Sequence, residues 1–346
     1  MKLLFITQKL HGQDAFTALW VKAFIELGYE VTVLCLEWQP QGMRDALGTI
    51  PVPQFTVHSL GKERGKGRVG VIFNFLRHIL TLKYDRVFIH MTPVWGLVGA
   101  PVWIVRRTPV YLWYTHYKMQ AGLWLLGFYG KRLFCATPQS LPQYPSSSGK
   151  ATAKKVVVGH GVDLAYWPRR ANAAADPYRL LVVHRLSRSK RLELSIRALT
   201  LLPEAYRLDV YGIEAEAEYV AELRALVAEL GLASRIAFHG TVPMQRLPGL
   251  YTSYRLILNM ASETIDKTML EALTCGCYPV TTSRNAAAIG IPAAPQSETP
   301  EAIADFVERH AVKVPLSGEA MYEVVRSGHS LEALVATMDA YIRPGT

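Results

Sequence analysis

Residues 179–202 read RLLVVHRLSRSKRLELSIRALTLL. An apolar strand over 179–185 runs into a loop crowded with cations, and a helix over 190–202 follows with apolar residues at helical spacing. The same rhythm continues beyond it. Strands are expected at 207–212, 236–239, 256–260 and 278–281. Helices are expected at 214–230, ended by Gly231, and at 267–275, with Gly276 just past the end. It also runs before it: a strand at 2–7, a helix at 15–27 stopped by Gly28, a strand at 30–36, and short apolar strands at 86–90 and 110–113. Strands alternating with crossover helices imply parallel sheets. The run is broken at 140–153, SLPQYPSSSGKATA, and again by a polar, Ala-rich stretch at 169–176. The expected architecture is therefore α/β, with two Rossmann-like doubly wound domains over 1–170 and 171–330 and a final helix within 331–346. Ligands are expected at the carboxyl ends of the strands, in a central cleft that the domains face.

The chain has 346 residues and a formal net charge of +10. The excess is one-sided. Residues 1–170 hold 21 Lys and Arg against 8 Asp and Glu, and the remainder holds 17 against 20. Such asymmetry suggests an anionic partner for the first half. The start of the chain lacks the basic opening, long apolar stretch and small-residue cleavage site of a secretion signal. The apolar run 91–105 is too short, and too broken by Pro93 and Pro101, to span a bilayer. The expected compartment is the cytoplasm. Cys35, Cys135, Cys275 and Cys277 lack zinc-ligand spacing and read as reduced thiols.

Two constellations carry chemistry. Arg185, Arg188, Lys190 and Arg191 crowd a helix start, where the macrodipole already favours negative charge. Either this is a solvated basic turn, or cations and backbone amides converge on a bound anion such as a diphosphate. The second is Glu263-Thr264-Ile265-Asp266-Lys267-Thr268-Met269-Leu270-Glu271. Glu263 follows a strand and Glu271 lies in the helix beyond, with Asp266 as the expected N-cap. Either these are surface carboxylates at a strand–helix junction, or Glu271 accepts from ribose hydroxyls at a switch point.

The Glu-x7-Glu spacing of 263 and 271, continued by Ala272-Leu273 and by Cys275-Gly276 with Pro279-Val280, resembles the signature of retaining glycosyltransferases of family 4, which have the GT-B fold. His184-Arg185-Leu186 with Lys190, Gly159-His160-Gly161-Val162-Asp163, and Gly28-Tyr29-Glu30-Val31 agree with that family in order and spacing. The resemblance covers about residues 1–285. It implies that Arg185 and Lys190 clamp a donor pyrophosphate and that Glu271 binds the ribose. Glu263 would bind donor-sugar hydroxyls, the Lys267 and Thr268 amides would touch the pyrophosphate or sugar, and the segment through Val242 would pass the base. His116 would stand beside sugar and acceptor, and the first loop, with His11, Gly12 and Asp14, would contact donor phosphate and acceptor. Two departures stand out. His11-Gly12 replaces the family's Gly-Gly, and Thr264-Ile265-Asp266 replaces its Gly-Phe-Gly. The implied substrate is a nucleotide sugar, UDP- or GDP-linked, with no cofactor. No Asp-x-Asp lies near a strand end, so no essential metal is expected.

The basic half adds Lys62, Arg64, Lys66 and Arg68 in a Gly-rich loop and Arg106-Arg107 after an apolar segment. Trp124, Phe128 and Tyr129 lie beside Lys131 and Arg132. Either these helices only cover their sheet, or the surface meets an anionic membrane on the inner face of the cell membrane, where a lipid-linked acceptor would be presented. The leading expectation is a retaining hexosyltransferase acting on a glycan or lipid-linked acceptor in cell-surface polysaccharide or glycolipid assembly. Its rivals are a nucleotide-sugar epimerase of GT-B architecture and a basic nucleic-acid- or membrane-binding protein on a degenerate scaffold. No nucleic-acid motif accompanies the charge, and no nucleic-acid partner is expected.

Overall fold

The computed structural model describes residues 1–10, 16–41, 55–116, 119–144, 154–167, 169, 175–262 and 265–343. The chain divides into two compact units, Met1–Asp163 with Leu331–Thr346, and Leu164–Ser330.

Unit 1 is a seven-stranded parallel sheet. Its strands are β1 (Lys2–Leu10), β2 (Glu30–Trp38), β3 (Thr56–Ser59), β4 (Arg86–His90), β5 (Val110–Trp113), β6 (Arg132–Cys135) and β7 (Lys155–Val157). Their order is β3-β2-β1-β4-β5-β6-β7. Both faces of such a sheet must be covered, so its strands read as nearly continuous apolar runs. β1 shows how the pleat sorts them. Leu3 and Phe5 enter one core with α1 (Phe16–Glu26), while Leu4 and Ile6 enter the other with α2 (Arg68–Thr81), α3 (Val94–Val105) and α4 (Ala121–Tyr129). On α2 the core receives Val71, Phe75 and Ile79, while Ile72 and Leu80 turn outward. Helical periodicity alone would group Ile72 and Leu80 with Phe75 and Ile79 on one face. The last helix of the chain, Leu331–Ile342, buries Leu334, Val335 and Met338 in the same core as Trp20 and Phe24 of α1. The Tyr29 hydroxyl donates to Asp339 at 2.5 Å, and the Tyr111 hydroxyl donates to the Tyr341 carbonyl at 3.1 Å.

Unit 2 carries β8 (Arg179–Val183), α5 (Leu192–Leu201), β9 (Arg207–Tyr211), α6 (Ala217–Glu229), β10 (Ile236–Gly240), α7 (Leu247–Tyr251), β11 (Leu256–Leu258), α8 (Lys267–Thr274) and β12 (Tyr278–Val280), with three further helices beyond. The five parallel strands run in the order β10-β9-β8-β11-β12. Strand order reverses between β8 and β11, so the loops leaving those two strands diverge from one point at the carboxyl edge. That is where open α/β sheets bind ligands.

One cluster centred on the buried Asp209 ties this sheet together. The Asp209 carboxylate accepts from Arg179 Nη2 at 2.7 Å, from the Tyr254 hydroxyl at 2.9 Å and from His239 Nε2 at 2.7 Å. Burial alone would push the Asp209 carboxyl up, but His239, Arg179 and Tyr254 together hold it below the ordinary carboxylate range. A depressed folded pKa contributes stability that is present above the unfolded pKa and is lost as pH falls through the folded one. Asp209→Ala is accordingly expected to destabilise unit 2 by about 2 kcal/mol at neutral pH, the scale of losing hydrogen bonds to a charged acceptor while the part-exposed Arg179 stays solvated, measured by denaturant unfolding. The deficit should shrink in acid. A variant as stable as the parent at pH 7 would show that the cluster contributes nothing.

Candidate active site

The carboxyl end of β8 is built for close approach. His184 follows the strand, is buried, and donates from Nδ1 to the Arg185 carbonyl at 3.0 Å. A Cβ added to Gly212, after β9, would lie 1.8 Å from the His184 carbonyl oxygen, so only glycine lets the two loops meet. Leu186 then bridges to Glu214, which fixes the loop before it reaches Arg188, Lys190 and Arg191.

Those cations do not act as one group. Of the two sequence readings, a solvated basic turn or four cations converging on an anion, neither holds for all four: the structure pairs three of them internally. Arg188 forms a fork with Glu222, at 2.8 and 2.5 Å, over the Tyr219 ring. Arg191 takes a left-handed conformation, φ 51°, which delays α5 to Leu192 after a short 3₁₀ turn at Arg188–Lys190. Its guanidinium donates to the Met260 carbonyl at 2.8 Å and pairs with Glu298 at 2.5 Å. That lashes the β8 loop to the end of β11. Lys190 is buried, and its ammonium meets Asp266. Arg185 remains exposed at the mouth of the loop.

Asp266 occupies the N-cap position of α8 as expected, but its side chain makes no capping bond. The carboxylate accepts from Lys190 and from Asn259 Nδ2, the latter at 2.7 Å. Burial pushes its pKa up, and the Lys190 charge outweighs that and holds it low. With the carboxylate so occupied, the first turn of α8 keeps its donors for another acceptor. The Thr268 hydroxyl is buried with no partner among the described residues. A helix N-terminus with an orphaned hydroxyl and a lysine beside it is an anion site in the chemical sense.

One turn further along α8 lies Glu271, also buried. Burial raises its carboxyl to about 7, against the pull of Lys267 and Tyr251. Two aromatic hydroxyls attend it. Burial and the Glu271 charge push Tyr166 up to about 12, and burial, with Glu271 again adding, carries Tyr251 well above the ordinary tyrosine range. Trp167 packs on Tyr251, with ring centroids 5.7 Å apart. A carboxyl so placed can accept from a pair of vicinal hydroxyls.

Lys190, Lys267, Thr268 and Glu271 therefore share one locality, with Arg185 at its β8 side. Val242 lies in the turn after β10, on the same carboxyl edge of the sheet and beyond β9. His116 belongs to unit 1, just after β5, exposed, with its ring edge-on to Tyr114 at 5.4 Å. His11, Gly12, Asp14, Glu263 and Thr264 lie outside the described residues. Sequence reasoning missed Asn259, Tyr166 and Tyr251. A polar Asn closing an apolar strand was the available signal for the first; nothing local marks the tyrosines. Among the described residues no three His, Cys, Asp or Glu side chains are grouped to hold a metal ion.

Residues 166–289, the span holding this locality, match the family described as Glycosyl transferases group 1. No curated protein matches the chain. Among solved structures, sucrose-phosphate synthase from Thermosynechococcus elongatus superposes with a TM-score of 0.75 at 16% identity, covering 98% of this chain and 97% of that one. HepE from Anabaena, in complex with UDP and glucose, gives 0.74 at 17%, with 98% of each chain covered. The lipopolysaccharide outer core galactosyltransferase WaaB gives 0.67 at 16%, covering 98% and 99%. At such identities the likeness is one of fold: two parallel sheets of Rossmann type, as in GT-B glycosyltransferases.

Proposed function

We propose that the protein is a retaining glycosyltransferase. It would move a hexosyl group from a nucleoside-diphosphate donor, UDP- or GDP-linked, to a glycan or lipid-linked acceptor. The setting would be cytoplasmic, in cell-surface polysaccharide or glycolipid assembly. The observation that carries the reading is the anion site at the start of α8, where Lys190 meets Asp266 and the Thr268 hydroxyl, without a partner among the described residues, stands one turn from the buried Glu271. A diphosphate would take the amides, Lys190 and Arg185, and the ribose hydroxyls would meet Glu271. The anabaena HepE structures, which hold UDP, glucose or UDP-glucose, support this donor class.

In the reaction the bond from C1 of the sugar to the β-phosphate oxygen breaks. The acceptor hydroxyl forms the new C1–O bond from the same face, its proton passes to the departing phosphate, and the nucleoside diphosphate leaves. Fixed cations stabilise the charge that develops on that phosphate, which is the role a metal would otherwise fill. Glu263, His116 and the first-loop residues His11, Gly12 and Asp14 complete the proposal on the family resemblance alone, Glu263 for donor-sugar hydroxyls and the others for the acceptor side.

Calorimetry with UDP, GDP and ADP is the direct test. One of the three is expected to bind in the micromolar range, without added metal and with affinity falling as salt rises. Absence of binding by all three would sink the proposal. Products formed from donor alone would point instead to an epimerase.

A further inference from the structure

The exposed large apolar side chains are not spread over the molecule. Most of those among the described residues lie on or beside α2, α3 and α4. These three helices cover the same face of the unit 1 sheet, with α3 packed against both α2 and α4. The α3–α4 contact is backbone-close: a Cβ on Gly122 would lie 2.0 Å from the Pro93 carbonyl oxygen. Because their inward residues fill one core, their outward stripes point away from the sheet together. Val69 (83% exposed) and Phe73 (68%) stand on α2, Val105 (83%) on α3, and Trp124 (55%) and Phe128 (70%) on α4. The last two form an edge-to-face pair with centroids 4.7 Å apart. Monomeric soluble proteins rarely leave such a patch without a use.

The charges around it identify the use. None of the three helices contains an acidic residue, and α3 and α4 contain no charge at all. Lys66, Arg68, Arg77, Lys83, Arg107 and Lys131 stand on α2 and in the adjoining loops, with no ion pair among the described residues. We propose that this face docks on an anionic phospholipid bilayer, with Phe73, Trp124 and Phe128 entering the interface and the basic rim lying against the headgroups. Apolar stripes rimmed by cations, without an opposing acidic patch, have the chemistry of an interfacial membrane site. A second copy of the chain would instead set basic rim against basic rim. No helix among the described residues is long and apolar enough to cross a membrane.

Sedimentation with vesicles, in the absence of any nucleotide sugar, tests this independently of the transferase reading. The protein should bind phosphatidylcholine vesicles containing phosphatidylglycerol at low salt, and bind pure phosphatidylcholine about tenfold more weakly. Phe73→Ser/Phe128→Ser and, separately, Arg68→Gln/Arg77→Gln should each weaken binding about tenfold while leaving the melting temperature within a few degrees of the parent. On binding, tryptophan emission should shift to the blue, and Trp124→Phe should remove most of that shift. Three results would overturn the proposal: no binding to anionic vesicles at low salt, undiminished binding by both double variants, or a solution dimer that Phe73→Ser/Phe128→Ser dissociates while no vesicle binding occurs. The Arg→Gln pair lies wholly on the surface, so it stays informative if the Phe→Ser pair does not fold.

Discussion

Lys190→Ala should lower kcat/KM for glycosyl transfer about a thousandfold, the scale of losing a preorganised group that stabilises transition-state charge. Most of the loss should fall on kcat, because charge on the β-phosphate develops as the sugar departs. The same substitution should destabilise unit 2. Lys190 is buried, and Asp266 would be left with Asn259 as its hydrogen-bond donor in a site that otherwise raises its pKa. Breaking one side of a buried pair costs about 3 kcal/mol. The two effects separate in Lys190→Ala/Asp266→Asn, which removes the stranded carboxylate. The double variant should recover stability in thermal unfolding and recover no activity. Asp266→Asn alone should bind the nucleoside diphosphate more tightly than the parent, because the ammonium no longer has a resident carboxylate competing with phosphate oxygens. A Lys190→Ala enzyme with a tenth or more of parental kcat/KM would remove Lys190 from the donor site.

The same pair marks the boundary of what the sequence conveys. The β/α rhythm is local: most strands, loops and helices declare themselves within a dozen residues, so two parallel sheets could be expected, whereas the four-residue strands β3 and β6 are too short to stand out, and the strand order that puts the switch between β8 and β11 is set by long-range pairing. The anion site was legible to the extent that its parts, Lys190, Thr268 and Glu271, lie on the two segments leaving that switch. Asp266 was not, because the N-cap rule concerns neighbours in the chain, and its real partner lies 76 residues away. The four cations of the β8 loop looked alike for the same reason. Glu222, 34 residues from Arg188, and Glu298, 107 residues from Arg191, neutralise two of them, and only the folded chain brings these together. Arg191 also displaced the helix start, since nothing local announces a left-handed arginine. On α2, apolar residues surround more of the helix than a core-facing stripe needs. Periodicity cannot say which of them stay outside, and those that do became the interfacial face.

Glu271→Ala should weaken nucleoside-diphosphate affinity about a hundredfold, the combined worth of two hydrogen bonds to a charged acceptor. A more discriminating result lies in the pH dependence. Burial holds the Glu271 carboxyl at about 7 in the free protein, above its ordinary value of 4.5. Ribose hydroxyls donate to the ionised form, so binding selects it, and affinity should rise as pH goes from 6 to 8 and level off above. The terminal phosphate of the nucleotide also ionises on the lower part of that range. Glu271→Gln therefore serves as the reference: it retains the phosphate contribution, and the difference between the two profiles belongs to the carboxyl. Folding must show the opposite sign. A folded pKa raised above the unfolded one contributes stability that is complete below the unfolded value and is lost as pH rises through about 7. The ligand-free protein should thus melt at lower temperature at pH 8 than at pH 6 by a margin that Glu271→Gln reduces, and saturating nucleotide should reduce the same margin by giving the carboxylate its donors. Parallel pH profiles for parent and Glu271→Gln, in affinity and in melting temperature alike, would show that Glu271 does not meet the ribose.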